Sequence, residues 1–185
     1  MEITKNIYKF SGQSNAYLIL DEEPKLIDAG VREEKDDLLR MISQIIDKDK
    51  IKHILLTHLH YDHLGALDAF PKATIHASKE AIEDFRKNPF HSVFSQREVE
   101  MLQKKKLFPV SDMGDLIVIS TPGHTRGSVC YYHKTKDILF SGDTLFRKGI
   151  LGRTDLPTSD AKAMQDSIKK LNTYSSATLC PGHDY

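Results

Sequence analysis

Short runs of apolar residues, most of them bounded by Gly, Pro or Asp, recur along the whole chain. They are rich in β-branched and aromatic side chains, a composition that is typical of strands. The strands predicted from these runs are residues 3–10, 14–20, 25–28, 52–57, 73–77, 115–120, 128–133, 138–141 and 177–180.

Between these runs, apolar residues recur at three- and four-residue spacing, which predicts helices with one buried face. The stripe is clear in 33–47, where Leu38 and Ile42 fall on one face. At the last helix we expect Ser159 as N-cap and Asp160 in the first turn. The predicted helices are residues 33–47, 64–69, 79–87, 97–106 and 159–172. This alternation predicts a layered α/β architecture, although it leaves the topology open.

Length and composition favour one compact globular domain. The chain has 185 residues, of which 39% are apolar and 28% charged, and this is the composition of a soluble domain. Lys plus Arg and Asp plus Glu balance at 26 each, which leaves no electrostatic footprint for nucleic acid. No run reaches the roughly 20 apolar residues of a membrane span, and the start has no secretory signal pattern. We therefore expect a single cytoplasmic domain over 1–185, with no nucleic-acid or membrane partner and with homo-oligomer formation left open.

The two cysteines, Cys130 and Cys180, are too few for a disulfide framework. Both lie in apolar, strand-like runs. We expect two reduced core thiols, as is usual in the cytoplasm, and a single disulfide between them is the alternative.

The segment THLHYDHLG, residues 57–65, has the pattern H-x-H-x-D-H. In an extended loop, residues two apart point the same way, so His58 and His60 can meet one ion. A turn after them would direct Asp62 and His63 toward a neighbouring point. Imidazoles and carboxylates at this density are ligands for zinc, iron or manganese rather than for calcium.

Three further candidate ligands each come after an apolar run and a glycine. His124 follows VISTPG, Asp143 follows ILFSG and His183 follows TLCPG. The glycines allow the backbone to turn tightly beside an ion. The full candidate set exceeds the four ligands of a structural zinc site and fits two ions that share a bridge. It consists of His58, His60, Asp62, His63, His124, Asp143 and His183.

The candidate set divides between the two ions by position. The first ion takes His58, His60 and His124, the second takes Asp62, His63 and His183, and Asp143 is the bridge. The expected cofactors are two divalent ions, zinc in the first place, with iron or manganese also suited to these ligands. A pair of ions about 3.5–4 Å apart can hold a hydroxide between them, and Asp62 and Asp143 are the expected catalytic carboxylates.

The motifs THLHYDHLG, TPGHTRGS, FSGDTLF and CPGHDY resemble the ordered metal motifs of the metallo-β-lactamase superfamily. The nearest resemblance is to its glyoxalase II (hydroxyacylglutathione hydrolase) branch, and it spans residues 14–185. It implies a four-layer αββα sandwich, an α/β (α+β) fold, with a dinuclear site at one sheet edge. Asp143 argues against the zinc β-lactamases that use a thiolate ligand, and His60, in place of a glutamate, against the flavodiiron branch.

The resemblance also implies roles for two residues that are not ligands. Asp28, in KLIDAG, matches an aspartate after an early strand, and we expect it to accept the free ring N–H of a ligand histidine. An ordinary strand-to-turn aspartate is the alternative. The segment 152–157, GRTDLP, resembles one in which a cation near Arg153 binds the substrate's carboxylate, a role that suits the planar guanidinium. The alternative is a loop arginine paired with Asp155 or Asp143. The preceding segment, FRKGILG, is one residue longer than is usual in this family, which affects where Arg153 falls relative to the family pattern.

The leading hypothesis is hydrolysis of a small thioester, glutathione-derived or similar, by a metal-bridging hydroxide. Persulfide dioxygenases resemble the chain too and use a single iron on a subset of these ligands. Lactone and ester hydrolases of this fold share the whole ligand set, and a non-catalytic metal-binding module is a further alternative. The sequence stops at Tyr185, so we do not expect the C-terminal helical domain that supplies glutathione contacts in glyoxalase II.

Overall fold

Two β-sheets packed face to face form the centre of the fold in the computed structural model, which describes residues 1–185. The larger sheet has seven strands in sequence order. They are β1 Glu2–Thr4, β2 Ile7–Phe10, β3 Ala16–Ile19, β4 Lys25–Ile27, β5 His53–Leu55, β6 Thr74–Ala77 and β7 Leu107–Pro109. The smaller sheet has four strands in the order β11-β10-β9-β8. They are β8 Leu116–Ser120, β9 Val129–His133, β10 Ile138–Gly142 and β11 Thr178–Pro181.

Helices cover the outer face of each sheet. They are α1 Lys35–Ser43, α2 Lys79–Lys87, α3 Pro89–Val93, α4 Gln96–Gln103 and α5 Ala161–Leu171. Side chains of α1 to α4 pack on the larger sheet, and Leu171 of α5 packs on the smaller one. The predicted four-layer αββα sandwich is confirmed. No helix is both long enough and apolar enough to cross a membrane.

Strand β3 shows how burial on both faces produces an unbroken apolar run. Its four residues, AYLI, are all buried. Ala16 and Leu18 point to the core under the helices, whereas Tyr17 and Ile19 point to the core between the sheets. Successive side chains of a strand point to opposite faces, so a strand between two apolar layers is apolar throughout.

The predicted helix 64–69 is wrong. The chain forms 3₁₀ turns at Tyr61–His63 and Leu67–Ala69 instead. Backbone groups here bond to a distant segment rather than along a helix: the Ala29 N–H donates to the His63 carbonyl at 2.9 Å. Pairing with a neighbouring loop replaces the i→i−4 bonds that a helix requires.

The predicted start of the last helix needs a similar correction. The N-cap of α5 is Asp160, whose side chain accepts hydrogen bonds from the backbone N–H of Lys162 and of Ala163. The Ser159 hydroxyl instead donates to the His124 carbonyl at 2.6 Å. The carboxylate is favoured at the cap because it satisfies two otherwise unpaired N–H groups beside the positive end of the helix dipole.

Cys130 and Cys180 are free and buried, as the sequence predicts. Burial raises the pKa of the Cys130 thiol to about 11 and that of Cys180 to about 12. Since the thiolate is the reactive form, we expect the folded, metal-loaded protein to resist a chromogenic disulfide reagent at pH 8 for hours. Both thiols should react within minutes in guanidinium. Fast reaction of the folded protein would contradict this burial.

Candidate metal centre

The candidate ligands lie where strands of both sheets end, at one edge of the sandwich. Strand β5 ends shortly before His58, and β8 ends shortly before His124. Strands β10 and β11 run parallel, and they end just before Asp143 and His183. The residues after two parallel neighbouring strands emerge at the same edge of a sheet. Residues far apart in the sequence are thereby brought to one place.

Ligand atoms of the predicted set converge into three overlapping groups, within each of which the atoms lie no more than 4.8 Å apart. The groups are His58, His60 and His124; Asp62, His63 and His183; and His58, His63 and Asp143. The first two match the trios assigned to the two ions from sequence. The third joins the trios through Asp143.

Asp143 lies between the two trios. One carboxylate oxygen is 3.3 Å from His63 Nε2. The other is 3.3 Å from His183 Nε2 and 3.6 Å from His124 Nε2. The carboxylate therefore faces ligands of both trios, which is the placement that a bridging ligand requires.

Buried polar atoms without partners show that the cluster suits metal ions. The Nε2 atoms of His58 and His63 are buried without a hydrogen-bond partner, and so is Oδ1 of Asp143. A buried polar atom without a partner costs on the order of kilocalories per mole. Divalent ions would supply the missing partners, and imidazole nitrogens with carboxylate oxygens are the donors that zinc, iron and manganese accept.

The outer nitrogen, Nδ1, of four of the histidines lies against an oxygen atom. The partners are Thr57 Oγ1 for His58 at 3.1 Å, Asp28 Oδ2 for His63 at 2.8 Å, the Arg153 carbonyl for His124 at 2.9 Å and the Gln13 carbonyl for His183 at 2.5 Å. A proton held on Nδ1 leaves the Nε2 lone pair free to face the cluster. His60 is the exception, because its Nδ1 lies 2.9 Å from His124 Nε2 and is the atom presented to the cluster.

Asp28 contacts the candidate ligand His63 directly and His58 through Thr57. It accepts the Nδ1 proton of His63 and, through the other oxygen, the Thr57 N–H at 2.8 Å. The Thr57 hydroxyl also donates to Asp28 at 2.8 Å, which leaves its oxygen to accept from His58 Nδ1. Asp28 adopts a left-handed backbone conformation, φ 56°, which aspartate tolerates better than most residues.

Burial keeps the histidines of the first trio neutral. It lowers the pKa of His58 well below its ordinary value, helped by the neighbouring His63 and His60. Burial, followed by the proximity of His124, lowers the pKa of His60 to about 3. Burial also holds the pKa of His124 below its ordinary value. A neutral imidazole is the form that binds a metal, so this trio needs to release no proton on binding.

Carboxylates dominate the charge around the second trio. Burial lowers the pKa of His63, but Asp143, Asp28 and Asp62 outweigh it and raise the pKa well above the ordinary value. Hydrogen bonds to Asp143 and Asp62 likewise overcome burial and raise the pKa of His183 to about 9. Burial also raises the pKa of Asp143, but His63 and His183 outweigh it and hold it well below its usual range. Without metal, protons on His63 and His183 balance the negative charge of the carboxylates. A bound cation would take over this role.

Arg153 presents its backbone, not its side chain, to the cluster. The side chain is exposed, and its Nε and Nη2 donate to the two carboxylate oxygens of Asp155 at 2.7 and 2.8 Å. Only the carbonyl group of Arg153 contacts a candidate ligand, His124. Substrate binding by Arg153 therefore stays a prediction, and the pairing with Asp155 matches the alternative drawn from the sequence.

Contacts from β2, from β3 and from the residue directly before β3 hold the segment that carries His183. Asn15 N–H donates to the Gly182 carbonyl at 2.7 Å, and the Tyr17 hydroxyl donates to the Pro181 carbonyl at 2.7 Å. Lys9 Nζ lies 2.6 and 2.5 Å from the two carboxylate oxygens of Asp184. The residue next to the last candidate ligand is thus tied to the larger sheet.

Removing Asp184 should destabilise the protein more than removing Lys9. The Lys9 side chain is 7% exposed, whereas that of Asp184 is 43% exposed. Asp184→Ala leaves a buried ammonium unpaired, which we expect to cost about 2–4 kcal/mol. Lys9→Met leaves a carboxylate that water can solvate, which should cost about 1 kcal/mol or less. Urea unfolding of both variants measures the difference, with Asp166→Ala as an exposed control, and equal losses would contradict the burial asymmetry.

Known proteins are similar to this chain in sequence and in fold. The family model described as the metallo-beta-lactamase superfamily matches residues 11–183. A probable metallo-hydrolase of Methanocaldococcus jannaschii is 32% identical over 99% of this chain and 92% of its own length. The hydroxyacylglutathione hydrolase of Salmonella typhi is 35% identical over 71% of this chain, and the match covers 47% of that enzyme.

A solved structure is similar over nearly the whole chain. The similar protein was crystallised in a di-iron-bound form. It superimposes on this chain with a TM-score of 0.74 and 28% sequence identity, and the match covers 97% of this chain and 92% of the other one. The span matched by the family model, residues 11–183, includes every candidate ligand.

Proposed function

Because the chain belongs to the metallo-β-lactamase superfamily, we propose that it is a two-metal hydrolase that cleaves small thioesters. The observation that carries the proposal is the pair of ligand trios with Asp143 between them. Similarity to probable metallo-hydrolases supports metal-dependent hydrolysis. The thioester is the finer step, and it is supported by similarity to hydroxyacylglutathione hydrolases, of whose length this chain spans about half.

Hydrolysis of a thioester needs a nucleophile and a group that accepts charge from the carbonyl oxygen. Two divalent ions supply both when bound, because they lower the pKa of water to about 7 and polarise the carbonyl. The oxygen of water joins the acyl carbon, the C–S bond breaks, and sulfur leaves with the electron pair. The products are a carboxylate, a thiol and one released proton.

The protein's own contribution is to position the ligands and to leave one side open. The Nδ1 contacts of His58, His63, His124 and His183 fix which nitrogen faces the cluster. The Asp62 side chain is 21% exposed and that of His183 is 11% exposed, while that of His63 is fully buried. Substrate should therefore approach the cluster from the side of Asp62 and His183.

Purified protein with no added metal should contain two ions per chain, measured by elemental analysis. A chelator should abolish thioester hydrolysis, and zinc, iron or manganese should restore at least part of it, because the ligands accept all three. Retained hydrolysis in metal-free protein would contradict the proposal. One iron per chain, with oxygen uptake on addition of a persulfide, would favour the single-iron dioxygenase alternative.

A further inference from the structure

The segment after Asp143 folds back on itself as a short hairpin, here called the Leu145–Leu151 hairpin. Its first and last residues form an antiparallel bridge. The Phe146 N–H donates to the Ile150 carbonyl at 2.7 Å, which closes the hairpin. The strand leading into it ends at the proposed bridging ligand, so its base is fixed beside the metal centre.

Gly152, directly after the hairpin, is pressed against the metal centre. A Cβ at this position would lie 1.8 Å from the Asp143 carbonyl oxygen and 3.2 Å from His124 Nδ1. The first distance is far too short for any side chain and the second is tight, so only glycine lets the backbone approach this closely. The end of the hairpin is therefore held against Asp143 and His124.

Exposed apolar side chains concentrate around this centre. Of the seven large apolar residues that are exposed in the whole chain, four belong to segments that carry or contact candidate ligands. They are Tyr61 at 45%, Ile150 at 44%, Leu151 at 40% and Tyr185 at 62% exposure. Exposed apolar side chains that cluster beside a reaction centre mark a binding surface, whereas scattered ones carry no such meaning.

Aromatic rings also pack against the histidines on each side of the centre. The Phe94 ring centroid is 5.1 Å from that of His60, and the Tyr185 ring stacks on His183 at 5.3 Å. Phe94, the C-cap residue of α3, adopts the left-handed conformation, φ 60°, which is unfavourable for a bulky side chain. The surroundings of the ligands are thus apolar on both sides.

The one guanidinium beside the base of the hairpin is already paired. Arg153 donates two hydrogen bonds to Asp155, so its planar fork is occupied. Arg147 and Lys148 lie at the hairpin tip and are exposed, whereas Ile150 and Leu151 lie on the strand that returns to Gly152 and the ligands. Ile150 and Leu151 are thus exposed apolar side chains directly before Gly152, the residue that approaches Asp143 and His124.

From these observations, and resting on the proposed thioester hydrolysis, we infer that Ile150 and Leu151 bind the acyl group of the substrate. The preferred substrates are thioesters of apolar acids, not thioesters whose acyl group carries a second carboxylate. Selectivity would come from burial of acyl methylenes against the hairpin, which is worth about a fourfold gain in kcat/KM per methylene when burial is complete.

The test is a series of acyl thioesters of one small neutral thiol, N-acetylcysteamine. For the metal-loaded wild-type protein, kcat/KM should rise about two- to fourfold per methylene from acetyl to hexanoyl. Octanoyl should exceed suberoyl, its analogue with a terminal carboxylate, by about tenfold or more. In the double variant Ile150→Ser, Leu151→Ser, the rise per methylene should fall below about 1.5-fold, and Leu151→Met alone should retain the rise.

Phe108→Ser is the matched control, because Phe108 is also exposed but lies on edge strand β7, away from the ligands. For this variant, kcat/KM should depend on the length of the acyl group as it does for the wild-type protein. Metal content and circular dichroism show whether each variant is folded and loaded. Thioester cleavage that does not depend on the length of the acyl group, or that is faster for suberoyl than for octanoyl, would overturn the inference. The proposed function would still stand. Absence of cleavage of every thioester would remove the proposed function and the inference with it.

Discussion

Asp143→Ala is expected to lower kcat/KM for thioester hydrolysis by at least about 10⁴-fold, roughly 5.5 kcal/mol in transition-state stabilisation. Asp143 is the one candidate ligand whose two oxygens face both trios, at 3.3 Å from His63 and from His183 and 3.6 Å from His124. Without it, no carboxylate holds the two ions together, and we expect less than two ions per chain. Steady-state kinetics and elemental analysis on the same preparation measure both losses.

The control for Asp143→Ala is Asp166→Ala. Asp166 is exposed on α5 and pairs only with Lys169, at 3.0 Å. This variant should keep two ions and wild-type turnover. If Asp143→Ala also kept wild-type turnover, the assignment of the bridge would be wrong. If it kept turnover with a single ion, the two-metal proposal would fail while the family assignment would stand.

The ligand set could be predicted from the sequence because its chemistry lies in side-chain identity. H-x-H-x-D-H places His58 and His60 on one side of an extended loop, and the structure brings both to the first trio. Asp143 and His183 each come after an apolar run and a glycine, and the parallel pair β10 and β11 delivers them to one edge. Strand ends followed by polar residues are therefore a sequence signal for a site.

Two of the oxygen atoms that orient the histidines gave no sequence signal. The carbonyl groups of Gln13 and Arg153 accept from His183 and His124. A backbone carbonyl is the same in every residue, so only the fold determines which one meets a ring nitrogen. The side-chain partner Asp28, in contrast, is suggested by the sequence, and it accepts a hydrogen bond from His63.

Two short elements were missed for different reasons. Strand β7, Leu107–Pro109, comes after a run of lysines and forms the edge of its sheet beside β6. Its apolar run is short and does not alternate with polar residues, so the sequence pattern does not indicate a strand. Helix α3, Pro89–Val93, did carry a signal. Asn88 caps it by accepting the His91 N–H, and proline occupies its first turn, a combination that marks a helix start.

Asp28→Asn should disable the second trio while the protein remains folded. One Asp28 oxygen accepts from the Thr57 N–H, and the other accepts from the Thr57 hydroxyl and from His63 Nδ1. An amide replaces one of these acceptors by an NH₂ donor. If the donor faces His63, the ring must accept at Nδ1 and carry its proton on Nε2, the nitrogen that faces the cluster.

The opposite amide orientation is no better, because its NH₂ group would face the backbone N–H of Thr57, and two donors cannot bond to each other. We therefore expect metal affinity at the second trio to fall about 10–100-fold, with turnover falling with occupancy. Asp28→Ala should also lose stability, because it leaves the buried Thr57 N–H without a partner, at about 1–3 kcal/mol. Metal titration followed by calorimetry separates the two variants: Asp28→Asn should show one site near wild-type affinity and one weakened site. Two sites of unchanged affinity in Asp28→Asn would mean that Asp28 does not control which His63 nitrogen is protonated.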